Sequence, residues 1–545
     1  MKDKAVRQGN IAKAAVILII VLTALVYANS LNNTFVLDDS SVILGNDFIK
    51  SWKNFPLIFT RTYLTPFVNE LVDHSLGSQE TSYRPVVTAS YFIDYSLWKL
   101  NPFGYHLTNL LLHIFNAILV YFLVFFITGE LPIALFSSLL FALHPVNTEA
   151  VNVISFRDDL LSFSFFISSL FLYLKLDRYT GKGKFLIYIS SLGLFALALF
   201  SKEMAMTLPL VILLYEGIFN HKFKLRYLGY FFVLFFYLWV RFFLMRNFTE
   251  PEALYPGGSF FTGIITIFNV LAVYLKYLLL PVGVHYILSG DPHLVSRSLF
   301  EPRVLFSAIL VLFIFTAAIK IRRGSKVAAF SILWFFITLL PVVNIWPIRN
   351  FIAMRYLYIA TPGISLLLAS ILFRLNGLKV FHGWPGIWQG PARSILAAVL
   401  IFYSSLTIIR NSVWKSDASL WKDMLTYYPS SYLVYYNLGL CYTKIGAADA
   451  AITLLEEAAR LKPDYYQVYR NLGLCYLSKR MPDRAIKEFK QSLKLAPHSA
   501  DIYNDLGISY AMMNDLQEAK RMWLRSLEIS PGHKNAKNNL SQLKY

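Results

Sequence analysis

Charge is scarce in this 545-residue chain, where Asp, Glu, Lys and Arg together make up 15%. Ordinary soluble domains carry about 25%. The shortfall excludes a string of such domains, and it excludes a disordered chain. Cysteine is nearly absent: Cys441 and Cys475 are the whole complement, so there is no disulfide framework. The soluble-enzyme signatures are missing too: no P-loop, no dinucleotide-binding glycine pattern, no zinc-spaced cysteines and no Gly-x-Ser-x-Gly turn. Without a nucleotide site, a nucleotide-sugar donor has no support. Acid is the scarcer sign, with 32 Asp+Glu against 51 Lys+Arg and a formal charge of +19. No nucleic-acid motif accompanies that excess. It reads as Lys and Arg held at the cytoplasmic ends of membrane helices, where they also attract anionic lipid phosphates. What the chain has in quantity is apolar. Hydrophobic residues reach 56%, aromatics 16%, and mean hydropathy is +0.50. This is the composition of a polytopic membrane protein.

The chain divides near residue 410. Residues 1–410 form a multi-span membrane domain. They carry eleven clear apolar runs, from 11–28 through 105–128, 131–143, 159–176, 184–200, 204–219, 227–245, 303–320, 327–345, 353–374 and 393–410. A bilayer core takes about 20 residues per helix. A twelfth, weaker run at 261–281 is interrupted by Lys276 and ends at Pro281. The first run follows Lys2, Lys4 and Arg7 and reads as an anchor with its N-terminus inside. Loops 177–184 and 220–226 are basic and then fall inside. Arg322, Arg323 and Lys326 also fall inside if the 261–281 run is re-entrant or interfacial. That choice gives about eleven spans and puts segment 29–104 and the C-terminal region outside.

Residues 411–545 repeat themselves. Leu438-Gly439 recurs as Leu472-Gly473 and Leu506-Gly507; Tyr442, Tyr476 and Tyr510 follow, then Ala451, Ala485 and Ala519, then Pro463, Pro497 and Pro531, each at a step of 34 residues. That is the period and pattern of tetratricopeptide repeats. Three full repeats are expected at about 432–465, 466–499 and 500–533, after a partial unit marked by Trp421 and Pro429 and before a polar capping helix at 533–545. Leu455, Phe489 and Trp523 hold the matching bulky place on each second helix. The cysteines lie one period apart on first helices and read as small buried residues rather than a redox pair.

Charged residues gather at the helix ends of one face. Phe35-Val36-Leu37-Asp38-Asp39-Ser40-Ser41 opens the first outside segment. Asp-Asp-Ser is a common helix cap, but a carboxylate at a low-dielectric surface also makes a general base. Tyr83-Arg84-Pro85 follows in the same segment. His144 and Glu149 sit in His-Pro-Val-Asn-Thr-Glu, where a hydrogen-bonded pair at a helix end is favoured over a metal site. Arg157-Asp158-Asp159, Ser201-Lys202-Glu203 and Arg355-Tyr356 repeat the theme. A guanidinium at the membrane boundary needs a partner, either a carboxylate or a lipid phosphate. Acids and bases from distant segments therefore converge on one face, which argues for a site.

These motifs resemble the transmembrane and tetratricopeptide-repeat (TMTC-type) O-mannosyltransferases, within the multi-span GT-C class of glycosyltransferases. The resemblance runs through Leu-Asp-Asp-Ser at 37–40, Tyr-Arg-Pro at 83–85 and Leu-Asn-Pro-Phe-Gly-Tyr-His-Leu-Thr-Asn at 100–109. It continues through His-Pro-Val-Asn-Thr-Glu-Ala-Val at 144–151, Arg-Asp-Asp-Leu-Leu at 157–161, Ser-Lys-Glu at 201–203 and Arg-Tyr-Leu-Tyr at 355–358. It implies an all-α membrane bundle followed by a repeat solenoid. It also implies an inverting, metal-independent transfer of a sugar, mannose in the family, from a polyprenyl-phosphate to a Ser or Thr hydroxyl of a protein acceptor, with no cofactor. Asp38 and Asp39 take the place of the acidic pair that supplies the base. Arg157 and Lys202, with Arg84 and Arg355, would face the donor phosphate, supported by His144, Glu149, Asp158 and Glu203. One departure is Asn147, which stands where the family has a second His. Two other classes stay open: a scaffold that only displays the repeats, and a lipid or sugar transporter, which would favour mid-span charges and paired halves.

Overall fold

The structure is a computed structural model that describes residues 2–60, 83–220, 224–244, 255–288, 294–345, 347–348, 350–375 and 391–543. Among the described residues all regular structure is helical. The chain forms two compact units, Met1–Lys415 and Ser416–Tyr545. The division falls after the last apolar run because the residues following that run hydrogen-bond back into the first unit: Lys415 O accepts from Thr34 N at 2.9 Å.

The first unit contains α1 (Lys2–Tyr27), α2 (Pro85–Trp98), α3 (Pro102–Thr128), α4 (Leu131–Ala142), α5 (Thr148–Asn152), α6 (Arg157–Lys175) and α7 (Gly181–Leu199). It continues with α8 (Leu208–Tyr215), α9 (Tyr227–Trp239), α10 (Phe260–Leu279), α11 (Pro302–Ile321), α12 (Lys326–Leu339), α13 (Thr361–Leu375) and α14 (Pro391–Val413). Proline stands in the first turn of α2, α3, α4 and α11, where its missing N–H has no helical partner to lose. Gly129, at φ 72°, closes α3 in the left-handed conformation that a side chain resists. Among the described residues, eight helices are long and apolar enough to cross a membrane, nine if the bent α4–α5 pair counts as one, and three more are shorter but apolar.

Hydrogen bonds and ion pairs sort the helix ends into two sets. At the far end, Asp177 after α6 pairs with Lys224 and Arg226 before α9, and Lys326 of α12 donates to Phe219 O. At the near end, the start of α6 meets the segments before α2 and α8 through Arg84, Asp158 and Lys202. Arg241, just past α9, reaches Glu203 there.

Two helices run between points at this same near end. In α2, Arg84 at the start pairs with Asp158, and Asp94 near the end pairs with Arg157. α10 meets the length and hydropathy test for a span, yet both its flanks lie at the near end. His144 binds Leu278 O at 3.1 Å, and Tyr255 before α10 donates to Ile345 O, just past α12. The 261–281 run is therefore a full 20-residue helix lying across the end of the bundle. With α10 set aside, the seven other long helices, the bent pair and the three shorter apolar ones number eleven among the described residues.

The second unit is a solenoid of helix pairs: α15 (Asp417–Tyr427), α16 (Tyr432–Lys444), α17 (Ala448–Leu461), α18 (Tyr466–Ser478), α19 (Pro482–Leu495), α20 (Ala500–Met512), α21 (Leu516–Ile529) and the short α22 (Lys534–Gln542). The 34-residue register is a packing register. A Cβ on Gly439 would lie 2.9 Å from Leu455, on Gly473 2.5 Å from Phe489, and on Gly507 2.4 Å from Trp523. Each glycine thus admits the bulky residue of its partner helix. Gly473→Ala should cost about 1–3 kcal/mol, the usual range for overpacking. It should open α18–α19 to limited proteolysis at lower temperature, and Phe489→Leu in the same chain should recover part of the loss. Cys441 and Cys475 are both free and buried, as their place in the register predicts.

Candidate active site

The acidic pair at the end of the first span is split by the backbone. Leu37 has φ 51°, a conformation that costs a bulky residue and persists only when its surroundings enforce it. The enforcement comes from Asp39. Its fully buried carboxylate accepts the N–H groups of Val36 (3.1 Å), Ile154 (3.3 Å) and Ser155 (2.6 Å). Burial pushes this carboxyl up to about 7, against the pull of the N–H donors. Asp39 is thus spent on fastening its loop to the strand of chain before α6. Asp38 is half-buried. Its charge acts on the phenol of Tyr286, as do those of Arg355 and Glu149.

Arg157, expected at a donor phosphate, is placed differently. Its guanidinium is fully buried and binds Asp94 (2.6 Å), Asn109 (2.7 Å), Tyr105 O (3.2 Å) and Ser90 (3.3 Å), with the Tyr91 ring 5.0 Å away. Each of the three guanidinium nitrogens is engaged, and the side chain ties α2 and α3 to α6. Asp158 and Asp159 are its neighbours in sequence, yet they pair elsewhere.

The other expected cations do meet. Asp158 joins Arg84 (2.7 Å) to Lys202 (3.2 Å), and Lys202 also binds Asp159 at 2.6 Å. Burial lowers the Lys202 pKa, but the two carboxylates outweigh it and hold the ammonium above its ordinary value. Glu203 lies 3.6 Å from Arg84 and 3.7 Å from Arg241. Arg355 pairs with Glu149 at 2.8 Å and lies 4.0 Å over the Phe156 ring. Tyr356 links the two groups, 5.7 Å from the Lys202 ammonium and 5.2 Å from Arg355. His144 does not pair with Glu149. Its Nδ1 accepts from Val146 N, so Nε2 carries the proton and donates to Leu278 O. It holds the end of α10 in place.

Arg241 and Tyr286 belong to this constellation and Asp94 to the adjoining Arg157 pair, and none of the three is among the site residues expected from the sequence. Asp94 and Arg241 carried a signal, a lone charge inside an apolar stretch. Tyr286 carried none among 34 tyrosines. The cluster can hold an anion between Arg84, Lys202 and Arg355 if carboxylate contacts are exchanged for it, with a carboxylate, Asp38, in the same electrostatic neighbourhood.

The tetratricopeptide repeat family matches residues 418–466 and 444–500. A protein O-mannosyl-transferase of Caenorhabditis elegans is 27% identical over 435 residues, covering 78% of this chain and 59% of that protein. The Drosophila melanogaster protein O-mannosyl-transferase Tmtc3 is 24% identical over 522 residues, covering 80% of this chain and 54% of that one. The human protein O-mannosyl-transferase TMTC2 is 36% identical over 152 residues, 27% of this chain and 17% of that one. The chain thus spans little more than half the length of the first two. The chain is thus similar to the protein O-mannosyl-transferases over most of its own length, and to tetratricopeptide repeats within residues 418–500.

Proposed function

We propose that the chain transfers a sugar, mannose by its likeness to its relatives, from a polyprenyl-phosphate to a Ser or Thr hydroxyl of a protein. The observation that carries this reading is the split of the acidic pair. Asp39 is locked by three N–H donors, while Asp38 shares the surroundings of Tyr286 with Arg355 and Glu149. Asp38 takes the proton of the acceptor hydroxyl as its oxygen attacks the anomeric carbon from the face opposite the phosphate. The bond from that carbon to the phosphate oxygen breaks, and the lipid phosphate leaves with the electron pair. Lys202, Arg84 and Arg355 compensate the departing charge, the kind of electrostatic term that often contributes most to a rate. The step as drawn needs no metal ion.

Orientation follows from charge. Lys182, Lys184, Lys224, Arg226, Arg322, Arg323 and Lys326 lie in the loops and first helical turns at the far end. That end is cytoplasmic by the positive-inside rule, and the site faces outside. The repeats hold the protein acceptor, as concave repeat arrays hold peptides, and raise its effective concentration, to the millimolar range for short tethers. The test is direct. Purified chain is incubated with radiolabelled polyprenyl-phosphate mannose and a Ser/Thr-containing acceptor, with a nucleotide-mannose in parallel. Label transfer from the lipid-linked sugar alone is expected. Transfer only from the nucleotide sugar, or from neither, defeats the reading.

A further inference from the structure

The loop that carries Asp38 is fastened at both ends, and one fastening comes from the last residues of the membrane unit. Asn411, fully buried near the end of α14, donates to Val26 O and to Asn29 Oδ1, each at 2.9 Å. Its Oδ1 accepts from Asn152 at 2.8 Å, and its backbone carbonyl accepts from Asn33 at 3.3 Å. Asn33 also donates to Asn152 Oδ1 at 3.0 Å. Four residues further along, Lys415 O accepts both the N–H of Thr34 (2.9 Å) and its hydroxyl (3.0 Å). The second fastening is the Asp39 carboxylate on Ile154 and Ser155, just after Asn152. Asp38 hangs between these two attachments, next to the left-handed Leu37.

The chemistry of the first fastening suits its place. It is made of neutral amides whose donors and acceptors satisfy one another, so it needs no counter-ion in a dry setting. Burying it is costly unless every member is paired, which makes it an all-or-none fixture. Asn411 cannot touch a substrate through this arrangement, because it is enclosed by α1 and α5.

We propose that Asn411, with Asn33 and Asn152, is a positioning clasp for the catalytic carboxylate, setting Asp38 against the acceptor hydroxyl. This rests on the reading of Asp38 as base. A further consequence is that the membrane unit needs its chain through Lys415: a cut after Arg410 removes half the clasp along with the repeats.

The experiment measures kcat and both KM values in the full-length chain for Asn411→Ala, Thr34→Val, Asp38→Asn and the double variant Asn411→Ala/Asp38→Asn. A misplacement of about 1 Å costs about 10²-fold. Asn411→Ala should therefore lose about 10–100-fold in kcat with the donor KM unchanged. Thr34→Val, a milder change at an exposed residue that keeps the N–H contact to Lys415, should lose a few-fold in the same parameter. In the Asp38→Asn background, the Asn411 change should cost nothing more, because a clasp acts only through the base it holds. Equal losses in both backgrounds would mark Asn411 as merely structural and overturn the clasp alone. Wild-type turnover in Asp38→Asn would overturn the base and the clasp together. If Asn411→Ala does not fold, Thr34→Val alone and with Asp38→Asn decides by the same comparison, and wild-type kcat in Thr34→Val then rejects the proposal.

Discussion

Asp38→Asn is expected to cut sugar transfer by about 10²–10⁴-fold, the usual contribution of a general base, while expression, unfolding temperature and donor binding stay near those of the wild type. The amide keeps the size and polarity of the side chain but cannot take the acceptor proton. Asp39→Asn should behave differently, although the two residues are adjacent and alike. Asp39 presents both oxygens to three N–H groups. An amide turns one of those oxygens into a donor facing donors, so the loop loses its attachment to residues 154–155. Lower yield and a lower unfolding temperature, with loss of activity following from them, are expected for Asp39. Transfer rates and thermal unfolding on both purified variants separate the roles. A stable Asp39→Asn with a large rate loss, beside an active Asp38→Asn, would exchange them.

The repeats were legible in the sequence to single residues, because a 34-residue period fixes both the helix pairs and the contacts between them. The spacing marks Gly473 and Phe489 as register positions on neighbouring helices, and the fold shows that they meet. The spans were legible as apolar runs. The lie of α10 was less so, because apolar length says nothing about direction; the bonds of Tyr255 and His144 place both flanks at one end, and those partners are far away in sequence. The same limit applies to the site. The sequence displays which charges stand at helix ends. It does not display which charge answers which, since Glu149 finds Arg355 and Arg84 finds Asp158 only after folding. Asp38 and Asp39 look equivalent until Ile154 and Ser155 are brought against one of them.

Arg157 gives the second large effect, on folding rather than on rate. Replacing it with Met leaves Asp94 buried with its charge uncompensated at one oxygen, the other being held by Thr108 at 2.9 Å. Breaking one side of a buried ion pair costs about 3–5 kcal/mol, a large share of the stability of most domains. Arg157→Met should therefore reduce the yield of folded protein and lower the unfolding temperature in detergent. Its transfer rate per folded molecule should fall less than that of Lys202→Met, because Lys202 belongs to the cluster around Tyr356 and Arg157 does not. The double variant Arg157→Met/Asp94→Leu tests the cause. If the damage comes from an orphaned carboxylate, replacing both partners with apolar side chains should restore most of the lost unfolding temperature, since buried pairs are often no better than apolar packing of similar volume. The opposite pattern, a stable Arg157→Met whose transfer collapses and is not recovered in the double variant, would return Arg157 to the donor phosphate and require the guanidinium to leave Asp94 during the reaction.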